Sequence, residues 1–190
     1  VQNKRLADYN KIIISSDKDF YQLCDDKTII YRPTQKEVLN KNSIVDQFGI
    51  HPNNFALARA IAGDPSDNLK GVPGAGLKTI SKRFSFMCEE KDYLIEDIVR
   101  HCEGVEKPLL VHKRIIENVD KIKQNYRLMQ LYSPSLSPIV KSQVNYILEN
   151  TEAELNLTEF RKMMMSDGFG EWDNTDLIIA MRKIVASLGK

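Results

Sequence analysis

At 190 residues the chain is long enough for one domain, or one and a half, with a sizeable core. Lys plus Arg number 27 against 26 Asp plus Glu, so global charge neither argues for nor excludes a nucleic-acid partner. No apolar run approaches membrane-spanning length, and Cys24, Cys88 and Cys102 lack paired metal-ligand spacing, which argues against a membrane span and a zinc site and fits reduced thiols in a cytoplasm.

Residues 1–10 are polar, with Asp8 a lone acid, and read as the tail of a helix. The stretch 11–23 begins as a short β-branched run, Ile12-Ile13-Ile14, the composition of a buried strand. It ends in Asp17 and Asp19 at the carboxyl edge, where open α/β sheets bind ligands. Two acids at spacing two point to one side of an extended chain. The same residues also serve a plainer reading, in which Ser16 or Asp17 caps a helix beginning near Phe20. A second strand is expected over 27–32, stopped by Pro33. Next comes a helix over 42–48 capped by Ser43, then one capped by Asn53 or Asn54 and running to Ile61, with Phe55, Leu57, Ala58 and Ile61 inward.

Residues 64–79 hold the most chemistry. Asp64 and Asp67, three apart, offer hard oxygen ligands that can share a divalent cation. Gly71, Gly74 and Gly76 leave the backbone bare, so its N–H groups can approach phosphate. Lys78 falls in the first turn of the next helix, where dipole and ammonium both favour an anion. Each half has a structural alternative: Asp64 as an N-cap with Pro65 at the first helical position, and the glycines as an ordinary tight turn.

Taken together, a strand ending in Asp-x-Asp followed by Gly-Asp-x-x-Asp-Asn and a glycine hairpin resembles the 5′-nuclease family. That family comprises bacteriophage 5′–3′ exonucleases, the 5′-nuclease domain of DNA polymerase I and the flap endonucleases. The resemblance implies an α/β fold: the end portion of a Rossmann-like (PIN-like) sheet, then a mostly helical domain with a helix-three-turn-helix motif. It implies that Asp17, Asp19, Asp64 and Asp67 are catalytic acids holding Mg²⁺ or Mn²⁺. It further implies that Lys70, Gly71, Gly74, Gly76, Lys78, Thr79 and Lys82 grip duplex DNA, and that the carbonyls of Ile61, Val72 and Ala75 hold a monovalent ion such as K⁺. The implied partner is a DNA duplex with a 5′ end or flap, in replication or repair. One departure stands out: the family's upstream carboxylates, including a Glu-x-x-Asp-Asp-like cluster, have no counterpart in residues 1–10. The expectation is therefore a carboxyl-terminal portion lacking an amino-terminal nuclease segment, and catalytically weak by itself.

Beyond the hairpin, helices are expected over 77–84, 93–101 (Leu94, Ile95, Ile98 and Val99 inward) and 109–131, the last striped by Ile115, Ile116, Val119, Ile122, Tyr126 and Met129. Residues 133–138 read as a proline-broken linker, and 157–166 and 175–188 as amphipathic helices, with Met163 to Met165 as core filler. This gives three regions: 1–50, the end of the nuclease core; 51–132, the DNA-binding helices; and 133–190, the terminal helices. His51, His101 and His112 read as surface or structural. Locally, residues 107–127 carry six Lys/Arg against two acids, while 149–176 carry eight acids against Arg161 and Lys162.

Three functions fit these observations to different degrees. A metal-dependent 5′-nuclease requires the four aspartates to converge. A non-catalytic, structure-selective DNA-binding module needs only the glycines and the basic residues. A globular α/β domain would use the hairpin structurally. Outside these three, a toxin-type ribonuclease is a further rival that would account for the strand acids but not the hairpin.

Overall fold

A computed structural model describes residues 3–133, 136–150, 156–169, 173 and 175–188. The chain divides into two units, Val1–Pro134 and Ser135–Lys190. The first begins with a single 3₁₀ turn, Lys4–Leu6, where the tail of a longer helix was expected. Three strands follow: β1 (Lys11–Ile14), β2 (Thr28–Arg32) and β3 (Glu37–Leu39). β1 runs parallel to β2 with Ile13 opposite Ile30, and β2 pairs antiparallel with β3, Ile30 opposite Leu39. β3 was not anticipated. Pro33 does end β2, but it opens a tight turn in which Lys36 takes φ 52°, returning the chain alongside β2.

Helices supply the rest of the unit: α1 (Lys41–Phe48), α2 (Pro52–Ala62), α3 (Leu77–Arg83), α4 (Ile95–Gly104), α5 (Leu110–Glu117) and α6 (Val119–Met129). Between α2 and α3 lies a small hairpin, β4 (Gly63–Asp64) against β5 (Leu69–Lys70). The fold is thus mixed α/β, mostly helical with a small sheet.

Several helix starts lie earlier than expected. Asn40, not Ser43, caps α1; Ser43 completes the capping box from the third position. His51 caps α2, its Nδ1 accepting from the Asn53 amide. Asn54 is instead buried, bonding Met87, Glu89 and Tyr93 backbone across the core. The stripe over 109–131 breaks at Asn118, which ends α5 and starts α6 while its side chain donates to the Arg114 carbonyl. Ile115, Ile122 and Met129 keep to the core, whereas Ile116 and Leu94 are exposed.

α2 is the central element. It contributes Phe55, Leu57, Ala58, Ala60 and Ile61, all at most 2 % exposed, and packs against α6 and the 3₁₀ helix Lys18–Leu23. Burying a side chain such as Phe55 contributes roughly 1.5–3 kcal/mol. Phe55 meets Tyr21 and Phe48 with ring centroids 5.3 Å away from each. Gln22, also buried, ties two distant parts together: its Nε2 donates to the Asp19 and Met129 carbonyls and its Oε1 accepts from the Leu131 amide. The Tyr132 hydroxyl donates to the Gln22 carbonyl.

The second unit holds α7 (Pro138–Asn150), α8 (Leu157–Ser166) and α9 (Thr175–Leu188). Pro138 starts α7 rather than ending a linker, and residues 134–135 of that expected linker lie outside the described residues. Met163 and Met165 are exposed, which corrects their reading as core filler. Among the described residues no helix is long and apolar enough to cross a membrane.

Candidate metal and nucleic-acid site

α2 delivers the two halves of the site to one place. Its last turn carries Arg59, and at its end Gly63 takes φ 79°, a conformation open to glycine, so that the chain leaves the helix directly into β4. Asp64 then opens the turn joining β4 to β5. Its Oδ1 accepts from the Ser66 amide (2.9 Å) and hydroxyl (2.5 Å), and Asn68 closes the turn with φ 56°. Asp64 therefore does not cap a helix; residues 65–68 form a β-turn, the Asn68 amide donating to the Pro65 carbonyl (3.2 Å), and Asp67 is exposed on it.

From the sheet side, β1 leads into the 3₁₀ helix Lys18–Leu23, which places Asp19 in its first turn. The result is a cluster in which carboxylate oxygens of Asp19, Asp64 and Asp67 lie within 4.8 Å of one another. Asp17 lines the same cleft, of about 340 Å³, with Ser16, Lys18, Arg59, Asp64, Ser66 and Asp67. Its Oδ1 caps the 3₁₀ helix by accepting from the Asp19 amide (2.9 Å). Three of the four expected acids thus converge, and the fourth lies beside them in the capping role that the plainer reading gave it.

The donor set fits a hard divalent cation: carboxylates of graded burial, one buried, one half-buried and one exposed, with an open cleft in front. Sequence reasoning missed Arg59. Its Nη2 and Nε donate to Asp19 Oδ1 at 2.9 and 3.2 Å, and Nη2 also bridges to Asp64 Oδ2. The two acids respond in opposite directions. Burial pushes the Asp19 carboxyl above its ordinary range despite Arg59. Burial also pushes on Asp64, but the two Ser66 hydrogen bonds and Arg59 outweigh it and hold that carboxyl below the usual range. The sequence signal for Arg59 was a lone cation in the apolar helix 55–61, five residues before Asp64.

The hairpin beyond β5 lies against α5 and α6. Val72 donates to the Ile61 carbonyl (2.8 Å) and Ala75 to the Val72 carbonyl (3.0 Å), so each of these two oxygens keeps one lone pair for another partner. Gly71 is packed, not exposed: a Cβ there would stand 2.0 Å from the Ala62 carbonyl oxygen. Gly74 takes φ 84°, whereas a Cβ on Gly76 would meet nothing within 4 Å. Lys70, Lys78 and Lys82 are exposed, and Thr79 is half-buried with its amide bonded to the Gly76 carbonyl. Lys78 and Lys82, four apart on α3, share one side of that helix. Two further cations, also missed, hold the loop: Arg114 donates to the Pro73 carbonyl (3.1 Å) and Lys121 to that of Gly71 (3.4 Å). Buried Asn125 bonds the Ala60 and Lys70 carbonyls, fixing α2 and β5 to α6.

Other nucleophiles and histidines lie elsewhere. Burial pushes the Cys24 thiol up to about 12 and that of Cys102 to about 11, which leaves both unreactive near neutrality. His51 and His112 are buried structural residues, and His101 joins the Phe84 and Phe86 rings.

No family model matches the chain. A 5′-3′ exonuclease of Buchnera aphidicola is 30 % identical over 155 residues, covering 80 % of this chain and 50 % of that protein. The thermostable DNA polymerase I of Thermus thermophilus is 29 % identical over 123 residues, covering 65 % of this chain and 14 % of the polymerase. The chain thus spans half or less of the length of these relatives. Among solved structures, a lysine-to-alanine mutant of T5 5′-exonuclease superposes with a TM-score of 0.58 at 20 % identity, covering 73 % of this chain and 57 % of that one. The same exonuclease with divalent zinc ions bound gives 0.51 at 21 % identity over 62 % of this chain and 42 % of that chain. In sequence the chain is similar to 5′-nucleases, and in fold it matches T5 5′-exonuclease.

Proposed function

We propose that this chain carries metal-binding acids and the duplex-gripping hairpin of a metal-dependent 5′–3′ exonuclease or flap endonuclease. One observation carries the reading: carboxylate oxygens of Asp19, Asp64 and Asp67 lie within 4.8 Å of one another beside an open cleft that Asp64 and Asp67 line, and the α2–α3 segment that supplies these two continues into the basic hairpin. DNA would be the substrate, as it is the partner in the structure of the bacteriophage T5 flap endonuclease with DNA and metal ions, which shares the fold at a TM-score of 0.51.

A bound Mg²⁺ or Mn²⁺ would supply electrostatic stabilisation of charge developing on a phosphodiester. The chain's own residues perform the rest. Asp19, Asp64 and Asp67 would hold the ion, and Asp17 would fix the backbone that presents Asp19. Lys78 and Lys82, with Lys70, Thr79 and the amides of Gly74 and Gly76, would hold duplex phosphates, binding shape rather than sequence. K⁺ at the Ile61, Val72 and Ala75 carbonyls would complete that contact.

Two-metal hydrolysis needs a second ion about 3.5–4 Å from the first, and the family resemblance assigns further carboxylates, upstream of this chain's acids, to that position. β1 bears on this, because it is an edge strand of a parallel pair whose Ile12 and Ile14 are 63 % and 70 % exposed. Parallel strands are ordinarily covered on both faces. A further nuclease segment that covered them would bring its acids beside Asp17 and Asp19. Without such a segment, the chain should bind DNA and cut slowly if at all.

A labelled 5′-flap duplex incubated in Mg²⁺ and K⁺ tests this, with an Asp64→Asn/Asp67→Asn variant alongside. The expected result is salt-sensitive, sequence-blind binding, with any slow cleavage abolished in the variant. Failure to bind duplex DNA would overturn the reading. Tight binding with no cleavage under any condition, equal in the variant, would favour a non-catalytic DNA-binding module; Arg59 lends that alternative support by neutralising buried acids without a metal.

A further inference from the structure

Arg59 stands where a metal would be felt most. Its side chain is only 11 % exposed, and it contacts the two least exposed acids of the cluster. Asp64 is engaged on both oxygens: Oδ1 by Ser66 and Oδ2 by Arg59. Asp19 presents Oδ1 to two guanidinium nitrogens at once. Three carboxylates crowded within 4.8 Å repel one another, and a fixed guanidinium offsets that repulsion. A divalent ion seeks the same oxygens and is repelled by the same cation.

We propose that Arg59 is a tethered counter-ion that holds Asp19 and Asp64 in place while no metal is bound and competes with the divalent ion for them. It is a positioning residue, and it sets how tightly the cluster takes its ion. This rests on the metal-binding reading above and adds a specific consequence to it. Arg59 makes the cluster stable when empty at the cost of weaker metal binding.

The competition has a direction. The ion must draw Asp64 Oδ2 away from Arg59 or share it, and in either case the guanidinium charge stays nearby and lowers the affinity. Replacing Arg59 with glutamine keeps a planar hydrogen-bond donor and removes the charge. The empty protein should then melt lower, while its affinity for the divalent ion rises.

Mn²⁺ titration of the full chain, followed by loss of the free-ion electron paramagnetic resonance signal, tests this together with melting temperature with and without Mn²⁺. For Arg59→Gln the expectation is about tenfold tighter Mn²⁺ binding, a lower melting temperature in chelator, and a larger rise on adding Mn²⁺ than in the parent chain. Arg59→Lys retains the charge but not the fork, and should stay within about twofold of the parent affinity. Equal or weaker Mn²⁺ binding by a folded Arg59→Gln would overturn the proposal. If Arg59→Gln does not fold, an Arg59→Lys chain that binds Mn²⁺ far more weakly than the parent would overturn it, and parent-like affinity would support it. Mn²⁺ binding unchanged by Asp64→Asn/Asp67→Asn would instead remove the metal-site reading itself, and the proposal with it.

Discussion

Gly63 and Gly71 meet backbone to backbone: a Cβ on Gly63 would stand 2.1 Å from the Gly71 amide nitrogen, and one on Gly71 would stand 2.5 Å from that of Gly63. This contact closes the path from α2 through β4 and β5 into the hairpin, so both glycines shape the site through the backbone. Gly71→Ala forces backbone apart and should cost about 3 kcal/mol or more, and Gly63→Ala adds the strain of φ 79°. Gly76→Ala meets no neighbour and should leave stability nearly unchanged. Denaturant unfolding of the three variants checks the ranking. Equal costs at all three positions would contradict it.

Gln22 offers a second test, one that connects packing to the acids. It satisfies the Asp19 and Met129 carbonyls and the Leu131 amide from a buried position. Gln22→Leu fills the space but leaves these backbone groups unpaired, at roughly 1–3 kcal/mol for each that stays dry. We expect a total loss of about 3 kcal/mol and weaker Mn²⁺ binding through displacement of Asp19. Chemical denaturation and metal titration read the two effects separately. Unchanged stability would show that Gln22 is not the tie between Asp19 and the end of α6.

Histidine caps make stability depend on pH. Burial lowers the His51 and His112 pKa values below 6.5, although Glu90 acts upward on His51. His51 Nδ1 accepts from Asn53 and His112 Nδ1 from Leu109, so both rings are neutral in the folded chain. The unfolded chain binds protons more readily, and this stability is therefore complete above the unfolded value near 6.5 and is lost as pH falls through it toward the lower folded values. The melting temperature should drop between pH 7.5 and 5.5, and His51→Asn, which can still cap α2, should flatten part of that drop. A profile unaltered by His51→Asn would assign the dependence elsewhere.

Exposed Lys78 and Lys82 share a side of α3 beside the hairpin. Lys78→Ala/Lys82→Ala should weaken duplex binding and lower the slope of log affinity against log salt by about 2, roughly one per lost phosphate contact. Binding across unrelated sequences should fall equally. An unchanged salt slope, read by fluorescence anisotropy, would place DNA on another face.

Much of this site was legible because its parts are local. The Asp-x-Asp at the end of β1, Gly-Asp-x-x-Asp-Asn and the glycine run each declare themselves within a few residues, and order along the chain supplied the family resemblance. What was missed depends on contacts between distant residues. Arg59 reads as one cation on an apolar helix until Asp19, 40 residues earlier, folds beside it. Arg114 and Lys121 reach the hairpin from 41 and 50 residues away. β3 escaped because Pro33 marks an end whether the chain departs or turns back. The α5–α6 break escaped because Asn118 leaves the spacing of Ile115, Ile122 and Met129 intact. Asn54 looked like a cap because its local pattern permits one, but burial turned it into a core bracket.

The affinity of the chain for a 5′-flap duplex, measured with and without Mg²⁺ beside Asp64→Asn/Asp67→Asn, tests the central claim most directly. If Asp19, Asp64 and Asp67 hold an ion that meets the backbone while the hairpin grips the duplex, Mg²⁺ should tighten binding by the parent chain about tenfold and leave the variant unmoved. Equal binding by both chains, whatever the Mg²⁺ concentration, would contradict it.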